Sequence, residues 1–540
     1  MASLVLKTFG GISPKTPPRY LQDSQAQTAL NGPRFNGSLQ PLLGLGDTVA
    51  TLTKVGTPLT IYRFGQDTVS DTQYWFHWTT DVDVCRSQIA GDTSEWTFFT
   101  GDGVPKATYA SLATSSTPYP FAARPLGMPV PETACTVTAG SLTGVDTDAL
   151  QETRVYTYTY VTKESGREIE SAPAPASSSV EVYPGQSVSL TSFAAVPSGY
   201  NVTHRRIYRS TSGTYLYVGE MLISSSSFSD TVLAEDLGEE LPSLTWLPPD
   251  DNLAGLINLP NGIMAGFVGR DIYFCEPYRP HAWPVGYSQT VDYPVVGLGR
   301  MDTTLAVLTT GTPYLIQGSH PDSMVVVQSD VEQACESKPS IVSMGGAVLY
   351  ASPDGLVMLS SNGSKIITEN MFTRKQWQEY FNPSSIHAYQ HDRKYVAFYD
   401  NGTTQGGFIF DLTTGQFVMH DIYATAGYSD LVIDKLFLAF ADRSIKPWGF
   451  GSELSYTWKS KKLTLPAVMT MSCAQVEAES YNVTAKFYAD GTLIHTQTVT
   501  SRTPFRLPAV SARDWEVQLE GDKEVFSVAM AQSMAELANV

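Results

Sequence analysis

The sequence predicts an all-β fold: a β-propeller with an inserted β-sandwich and a C-terminal β module. Three observations carry that reading. Tyr outnumbers Phe by 28 to 23, and Gly and Pro supply 42 and 33 residues, a pattern of aromatic strands and frequent turns. Short alternating runs recur at close spacing, and 154–162 is the clearest. Asn-Gly and Asp-Gly pairs at Asn261-Gly262, Asp354-Gly355, Asn362-Gly363 and Asn401-Gly402 are hairpin signals.

Composition sets the outer bounds. At roughly 150 residues per domain, 540 residues suggest three to four domains. Charged residues are only 16% of the chain, below the roughly 25% of an average soluble domain. Disorder, coiled coil and helical bundle are all disfavoured. Lys plus Arg is 35 and Asp plus Glu is 53, a net charge of −18. An acidic chain without basic blocks is a poor free-standing nucleic-acid binder, because such binding rests on cations meeting phosphate. Cys85, Cys135, Cys275, Cys335 and Cys473 are odd in number and far apart; buried free thiols are expected rather than disulfides or zinc. Lys7, Gly10, Gly11 and Pro14 break up the apolar start, so no signal peptide is expected. No run reaches the ~18 apolar residues of a membrane span. The stretch 431–441 reads as a buried strand pair or short helix.

Residues 1–45 read as an N-terminal arm, with Gly10-Gly11, Pro14, Pro17 and Pro18 opposing regular structure. A short helix is expected over 24–30, capped by Asp23 and stopped by Asn31-Gly32. Residues 46–125 form the first part of the propeller, with strands at 59–64, 74–78 and 95–100. Arg63 is expected at the edge of a strand face, and Gly101-Asp102-Gly103 makes a turn. Residues 126–249 form the inserted sandwich between a linker at 126–132 and a second linker at Pro248-Pro249. Its strand 154–162 carries Tyr156, Tyr158 and Tyr160 on one face and Val155, Thr157, Thr159 and Val161 on the other. Further strands are expected at 187–190, 206–208, 215–218 and 227–231.

Residues 250–455 supply the remainder of the propeller. Strands are expected at 263–267, 272–275, 304–308, 313–317, 347–351, 356–359, 395–399 and 407–411. One helix stands out: Thr373 and Gln376 form a capping box, Phe372 and Trp377 a staple, and Pro383 the stop. Trp377, Tyr380 and Phe381 share a face. At ~40–45 residues per blade, this region holds about five blades and 46–125 about two. Two separate β domains are the alternative. Residues 456–540 form the C-terminal β module, with a hairpin around Asp490-Gly491, strands at 515–519 and 525–529, and a helical turn at 533–537.

No constellation reads as catalytic. Asp81, Asp83 and Glu95 are the nearest approach to a glycosidase carboxylate pair, with solvated rim carboxylates as the alternative. Ser352-Pro353-Asp354-Gly355 is similar to part of the Asp-box turn of sialidase-like propellers but lacks its aromatic close; an ordinary hairpin turn explains it. His281, between Pro280 and Ala282-Trp283, suits a packed turn better than a general base. Nucleophile-elbow, zincin and phosphate-loop motifs are missing from the sequence. No catalytic residue, metal or cofactor is assigned, and an enzyme is not expected. The one basic cluster, His204-Arg205-Arg206 with Tyr208 and Arg209, fits either an acidic partner surface or a solvated sandwich edge.

Four groups of segments have a family look. The chain opens with Phe9-Gly10-Gly11-Ile12-Ser13-Pro14, then Gln25-Ala26 and Gly37-Ser38-Leu39-Gln40-Pro41. Thr97-Phe98-Phe99-Thr100-Gly101-Asp102-Gly103-Val104-Pro105 is the second group. The most specific is Leu259-Pro260-Asn261-Gly262 leading to Glu276-Pro277-Tyr278-Arg279-Pro280-His281-Ala282-Trp283-Pro284. The last is Trp458-Lys459-Ser460-Lys461 with Asp490-Gly491 and Phe505-Arg506-Leu507-Pro508. Together they resemble the tail nozzle proteins of short-tailed bacteriophages, also called tail tubular proteins of the B type. The insertion is similar to fibronectin type III modules, with Glu170-Ser171-Ala172-Pro173 after its tyrosine-rich strand, and sets this chain apart from the best-known members.

The resemblance implies a structural virion protein in the phage tail, assembled in the bacterial cytoplasm. Six copies form a homo-hexameric ring below the portal adaptor, pass double-stranded DNA through the lumen without specific binding, and help dock tail fibres. Such a ring needs two unlike flanks per subunit. The extended segments 1–20 and 239–250 are candidates to lie across a neighbour. Six copies carry a net charge of −108, which either repels exiting DNA from the lumen within a Debye length of ~8 Å or merely keeps the surface soluble. The alternative function is a carbohydrate-active enzyme or host-glycan-binding propeller protein.

Overall fold

The computed structural model describes residues 3–34, 36–65 and 74–537. Seven small antiparallel sheets form a ring. The first is a strand pair, Thr60–Arg63 and Trp75–Trp78. The second runs from Asp83–Arg86 to Arg124–Pro125, the third from Ala254–Asn258 to Ser288–Thr290, and the fourth from Val295–Met301 to Val325–Gln328. The fifth spans Val342–Ser343 to Gly363–Ile366, the sixth His387–His391 to Gln416–His420, and the seventh Ala426–Asp430 to Ser444–Glu453.

From the second sheet round to the first, the first strand of each sheet touches that of the next. Hydrogen bonds stitch neighbouring blades together. Val82 N–H donates to Thr60 Oγ1 at 2.9 Å, Asn258 Nδ2 to Arg86 O at 2.8 Å, Arg300 N–H to Ser343 Oγ at 2.9 Å, and Tyr395 OH to Ser340 O at 2.8 Å. This is a β-propeller. The ring closes in two ways. Ala50–Thr51 and Leu43–Leu45, which precede the first blade, pair with Ser444–Glu453 of the last. Arg63 then forms a wholly buried ion pair with Asp430. Arg63 is therefore not at a strand edge: it lies between two blades, where only a paired charge is tolerated.

The insertion leaves after Arg124–Pro125 and returns before Ala254. Its four-stranded sheet is Arg167–Glu170, Tyr156–Glu164, His204–Thr211 and Thr214–Leu222. A three-stranded sheet, Thr136–Ala139, Val188–Thr191 and Phe228–Asp230, packs over it. The tyrosine face is the core face: Tyr156, Tyr158 and Tyr160 pack with Val188, Leu190 and Ile207. Each phenol finds an acceptor, Tyr156 at Asp230 Oδ2 (2.7 Å) and Tyr158 at Thr133 O (2.8 Å), as buried tyrosines require.

Residues 24–30 correct a sequence expectation: Ala26–Leu30 is a strand, not a helix. It runs antiparallel to Tyr456–Ser460, and Leu30 pairs in parallel with Met419. Two open sheet edges outweigh a local capping signal. This strand fuses the sixth blade and the C-terminal module into one ten-stranded sheet. The N-terminal segment is thus paired within its own chain. Ser3–Leu6 pairs with Val525–Ala531. Phe9 meets Trp458 edge-on at 4.8 Å, and Trp458 Nε1 donates to Gly10 O at 3.0 Å. Gly11 must lack a side chain, because a Cβ there would stand 2.2 Å from Phe417 O. In the linker 239–250, Leu247 O accepts from Trp283 N–H at 2.8 Å.

The helix Arg374–Phe381 has the expected capping box and ends at Asn382 in the left-handed region. Trp377 and Phe381 are buried, but Tyr380 on the same face is 45% exposed. The stretch 431–441 is a turn with Leu431 and Val432 exposed, followed by the strand Lys435–Ala439; a buried strand pair or helix is not what forms. All five cysteines are free and buried. No helix of the described residues is long and apolar enough to cross a membrane.

Trp458 is fully buried in the largest core cluster, which joins blade and C-terminal module. Trp458→Ala is expected to cost about 3–5 kcal/mol, read as a drop in the urea midpoint. An unchanged midpoint would contradict the seam.

Candidate functional site

Two cavities and one buried joint concentrate the polar chemistry. The first cavity, about 730 Å³, lies where the inner strands of the propeller begin. Asp81, His387, Tyr389, Tyr423, Thr425 and Asp442 are among its walls. Beside it, Lys338 reaches from the fifth blade to the second. Its Nζ is 2.7 Å from Asp83 Oδ2 and 3.2 Å from Asp81 Oδ2. Gly297 leaves room for the Lys338 stem. Asp83 also accepts from Gly255 N–H at 3.0 Å. Burial pushes the Asp83 carboxyl above its ordinary range, with Lys338 pulling the other way. For Lys338, burial alone lowers the value, but Asp83 and Asp81 together raise it overall. Three blades are pinned at one charged point.

The buried joint lies between insertion and propeller. Arg124 grips Glu164 through Nε and Nη2, at 3.0 Å and 2.6 Å, and Tyr109 OH donates to the same carboxylate at 2.6 Å. Arg167 binds Asp92 at 3.1 Å and lies over Trp96 and Phe98 at 5.3 Å and 5.4 Å. Between them, Ser165 O accepts from Ser94 Oγ at 2.9 Å and Trp96 Nε1 at 3.2 Å. The sandwich hairpin thus docks on the second blade through fixed, paired charges. A second cavity of about 210 Å³ adjoins this joint, with His281 in its wall.

The segment 276–284 braces the other side. Glu276 N–H bonds Ala282 O at 2.8 Å, which folds the segment into a compact turn. Trp283 is buried, and its Nε1 donates to Pro280 O at 2.9 Å. Pro277 is half-buried and Pro284 buried. Asn261 and Gly262 both have positive φ, and a Cβ on Gly262 would strike the Tyr278 ring at 2.5 Å. The two halves of this motif are therefore one packed unit. His281 is a packed residue: its ring meets Trp246 edge-on at 5.6 Å. Burial, helped by Arg279 and Arg167, drives its pKa down to about 3.

The remaining sequence candidates fall elsewhere. Gly10, Gly11 and Trp458 share the N-terminal seam, where Pro14 O accepts from Gln376 Nε2 at 3.0 Å. Gly101, Asp102 and Gly103 form a turn, with Asp102 on Lys106 at 2.8 Å. Asp490 and Gly491 turn a hairpin, and Asp490 Oδ1 accepts from Asp514 N–H at 2.9 Å. Arg506, exposed, is in the strand Phe505–Arg506 paired with Cys473.

The carboxylate trio does not converge: Asp81 and Asp83 share Lys338, while Glu95 is 3.7 Å from Arg86. Ser352-Pro353-Asp354-Gly355 is a hairpin turn whose Ser352 O accepts from Trp377 Nε1 at 2.9 Å. The basic cluster is not a solvated edge: Arg205 and Arg209 are buried and Arg206 and Arg209 are paired within the sandwich. Arg206 binds Glu168, Glu170 and Glu220 at 2.6–3.0 Å, Arg209 binds buried Asp230 at 2.8 Å, and Arg205 donates to Ile223 O at 3.0 Å. Lys338, Arg124, Glu164 and Arg167 were not singled out by sequence; each has its partner distant along the chain.

No family model matches the chain, and no curated protein matches it. Among solved structures, it is similar to BBS1N in complex with ARL6DN, at 10% identity and TM-score 0.29, covering 76% of this chain and 97% of that one. The N-terminal domain of Nup159 gives 9% identity and TM-score 0.23, over 58% of this chain and 87% of that one. A protein of unknown function from Bacteroides thetaiotaomicron gives 9% and 0.21, over 59% and 95%. Likeness at this level carries nothing about function.

Lys338→Ala leaves Asp83 without its cation and is expected to cost about 2 kcal/mol. Adding Asp83→Asn should recover part of that loss, and strictly additive losses in the double-mutant cycle would argue against the pairing. The pH response has a definite sign. His281 and His420 are held far below their ordinary 6.5, at about 3 and about 4, chiefly by burial. They stay neutral when folded and take up protons when unfolded. Stability is then full above pH 6.5 and falls with acidification, by about 1.4 kcal/mol per pH unit for each. The urea midpoint should drop from pH 7 to pH 5, and His420→Gln should flatten that slope.

Proposed function

We propose that the chain is a structural virion protein, the subunit of a hexameric tail nozzle that sits below the portal adaptor ring, conducts the genome and helps dock fibres. What supports this reading most is the use made of the segments that resemble nozzle proteins. The opening segment and Trp458 form one seam, and 259–262 with 276–284 forms another. Residues that give a family its look are here spent on joining bodies rather than on presenting reactive groups. The propeller provides a rigid wall element, and the sandwich, fixed by Glu164 and Arg167, a side module of constant orientation. The acidity suits a conduit through which phosphate must slide without sticking.

A second reading, a glycan-binding propeller protein, draws on the cavity of about 730 Å³ and its Tyr389, Tyr423, Asp81 and Asp442. The nozzle reading expects light scattering to show six chains joining one purified adaptor ring. It also expects virions lacking the protein to end at the adaptor in electron micrographs. Failure to associate, together with saturable glycan-array binding lost in Tyr423→Ala, would move the assignment to the second reading.

A further inference from the structure

The strand Ser3–Leu6 pairs with Val525–Ala531 along one edge. Among the described residues, no strand pairs with its other edge. In an antiparallel pair alternate residues turn their backbone N–H and C=O groups outward, so that edge carries donors and acceptors without a strand to meet them. Ser3–Leu6 is uncharged, contains no proline and pairs in unbroken register; it has none of the devices that usually guard an edge. A cavity of about 420 Å³ lies beside it, lined by every residue from 3 to 8. Consecutive side chains point to opposite faces of a strand. An opening along the edge meets them all, whereas one over a face would meet alternate residues.

The cavity is also cationic. Lys7, Arg19, Lys461 and Lys462 line it, and Asp23 is the one carboxylate among its described lining residues, in a chain whose net charge is −18. Lys7 is exposed and has no ion-pair partner among the described residues. Lys461 Nζ is 2.7 Å from Asp23 Oδ1, but that carboxylate is 87% exposed, and such a pair is worth little in water. Arg19, half exposed, holds Asp514 at 2.8 Å. Lys462 stands 3.6 Å from Glu516, which Lys459 already binds at 2.7 Å. An ammonium has three donors and a guanidinium five, so all four cations can take further carboxylates.

We propose that this edge takes an extended acidic peptide as an added strand, its backbone paired with Ser3–Leu6 and its carboxylates on Lys7, Arg19, Lys461 and Lys462. The open edge is what favours a peptide. A phosphate chain could accept from the outward N–H groups but would leave the outward C=O groups unmet. The proposal is independent of the nozzle reading.

A labelled peptide of alternating Glu and Thr, about eight residues long so that it spans the strand at ~3.4 Å per residue, tests it by fluorescence anisotropy with the full chain. One saturable site is expected, with affinity falling as salt rises. The counterpart of alternating Gln and Thr should bind about tenfold more weakly. So should the acidic peptide methylated at two adjacent backbone nitrogens, which blocks both of its edges. Lys7→Glu combined with Lys462→Glu should weaken the acidic peptide by about tenfold. No saturable binding, equal affinity for either control peptide, unchanged affinity in the folded double variant, or displacement of the peptide by a tighter-binding single-stranded oligonucleotide overturns the proposal. Should the double variant fail to fold, the three peptides in the unaltered chain decide it.

Discussion

An open strand edge is a liability, and this chain covers two of them with its own N-terminal segment. The seventh blade ends on Ser444–Glu453, whose free edge would expose a row of backbone donors and acceptors. Leu43–Leu45 and Ala50–Thr51 cover it from the far end of the sequence. The same demand places Ala26–Leu30 between the sixth blade and the C-terminal module. Because the N-terminal segment answers both, propeller and module are mechanically one body, and the buried Trp458 lies at their contact.

The insertion is attached differently. Among the described residues, it shares no strand with the ring. Its orientation rests on side chains, above all Glu164 against Arg124 and Tyr109, and Arg167 against Asp92 and two aromatic rings. Charge-assisted bonds of this kind are directional, so they set an angle as well as an affinity. Under the nozzle function proposed above, a module held at a set angle would present the same outer face six times.

Much of the fold was legible in the sequence because the signals were local. Asn-Gly turns, the tyrosine alternation at 156–160 and the capping box at Thr373 each act over a few residues. What escaped was set at long range. Ala26–Leu30 has no strand signal strong enough to beat Asp23 and Asn31-Gly32; only the two edges beside it decide. Arg63, expected at the edge of a strand face, is instead buried against Asp430, far along the chain. The polar centre was hidden for the same reason. Lys338 carries no motif, and its role exists only once the second, third and fifth blades meet. Conversely, Arg205, Arg206 and Arg209 looked available in the sequence and are committed in the fold.

The pairing of Ser3–Leu6 with Val525–Ala531 has a kinetic meaning. The strand Ser3–Leu6 has nowhere to settle until Val525–Ala531, far along the chain, has been made. The sandwich, whose contacts are internal, can fold early, but the ring must wait for nearly the whole polypeptide. Such non-local closure is slow, and the unpaired leading segment is exposed meanwhile to pairing with the wrong chain.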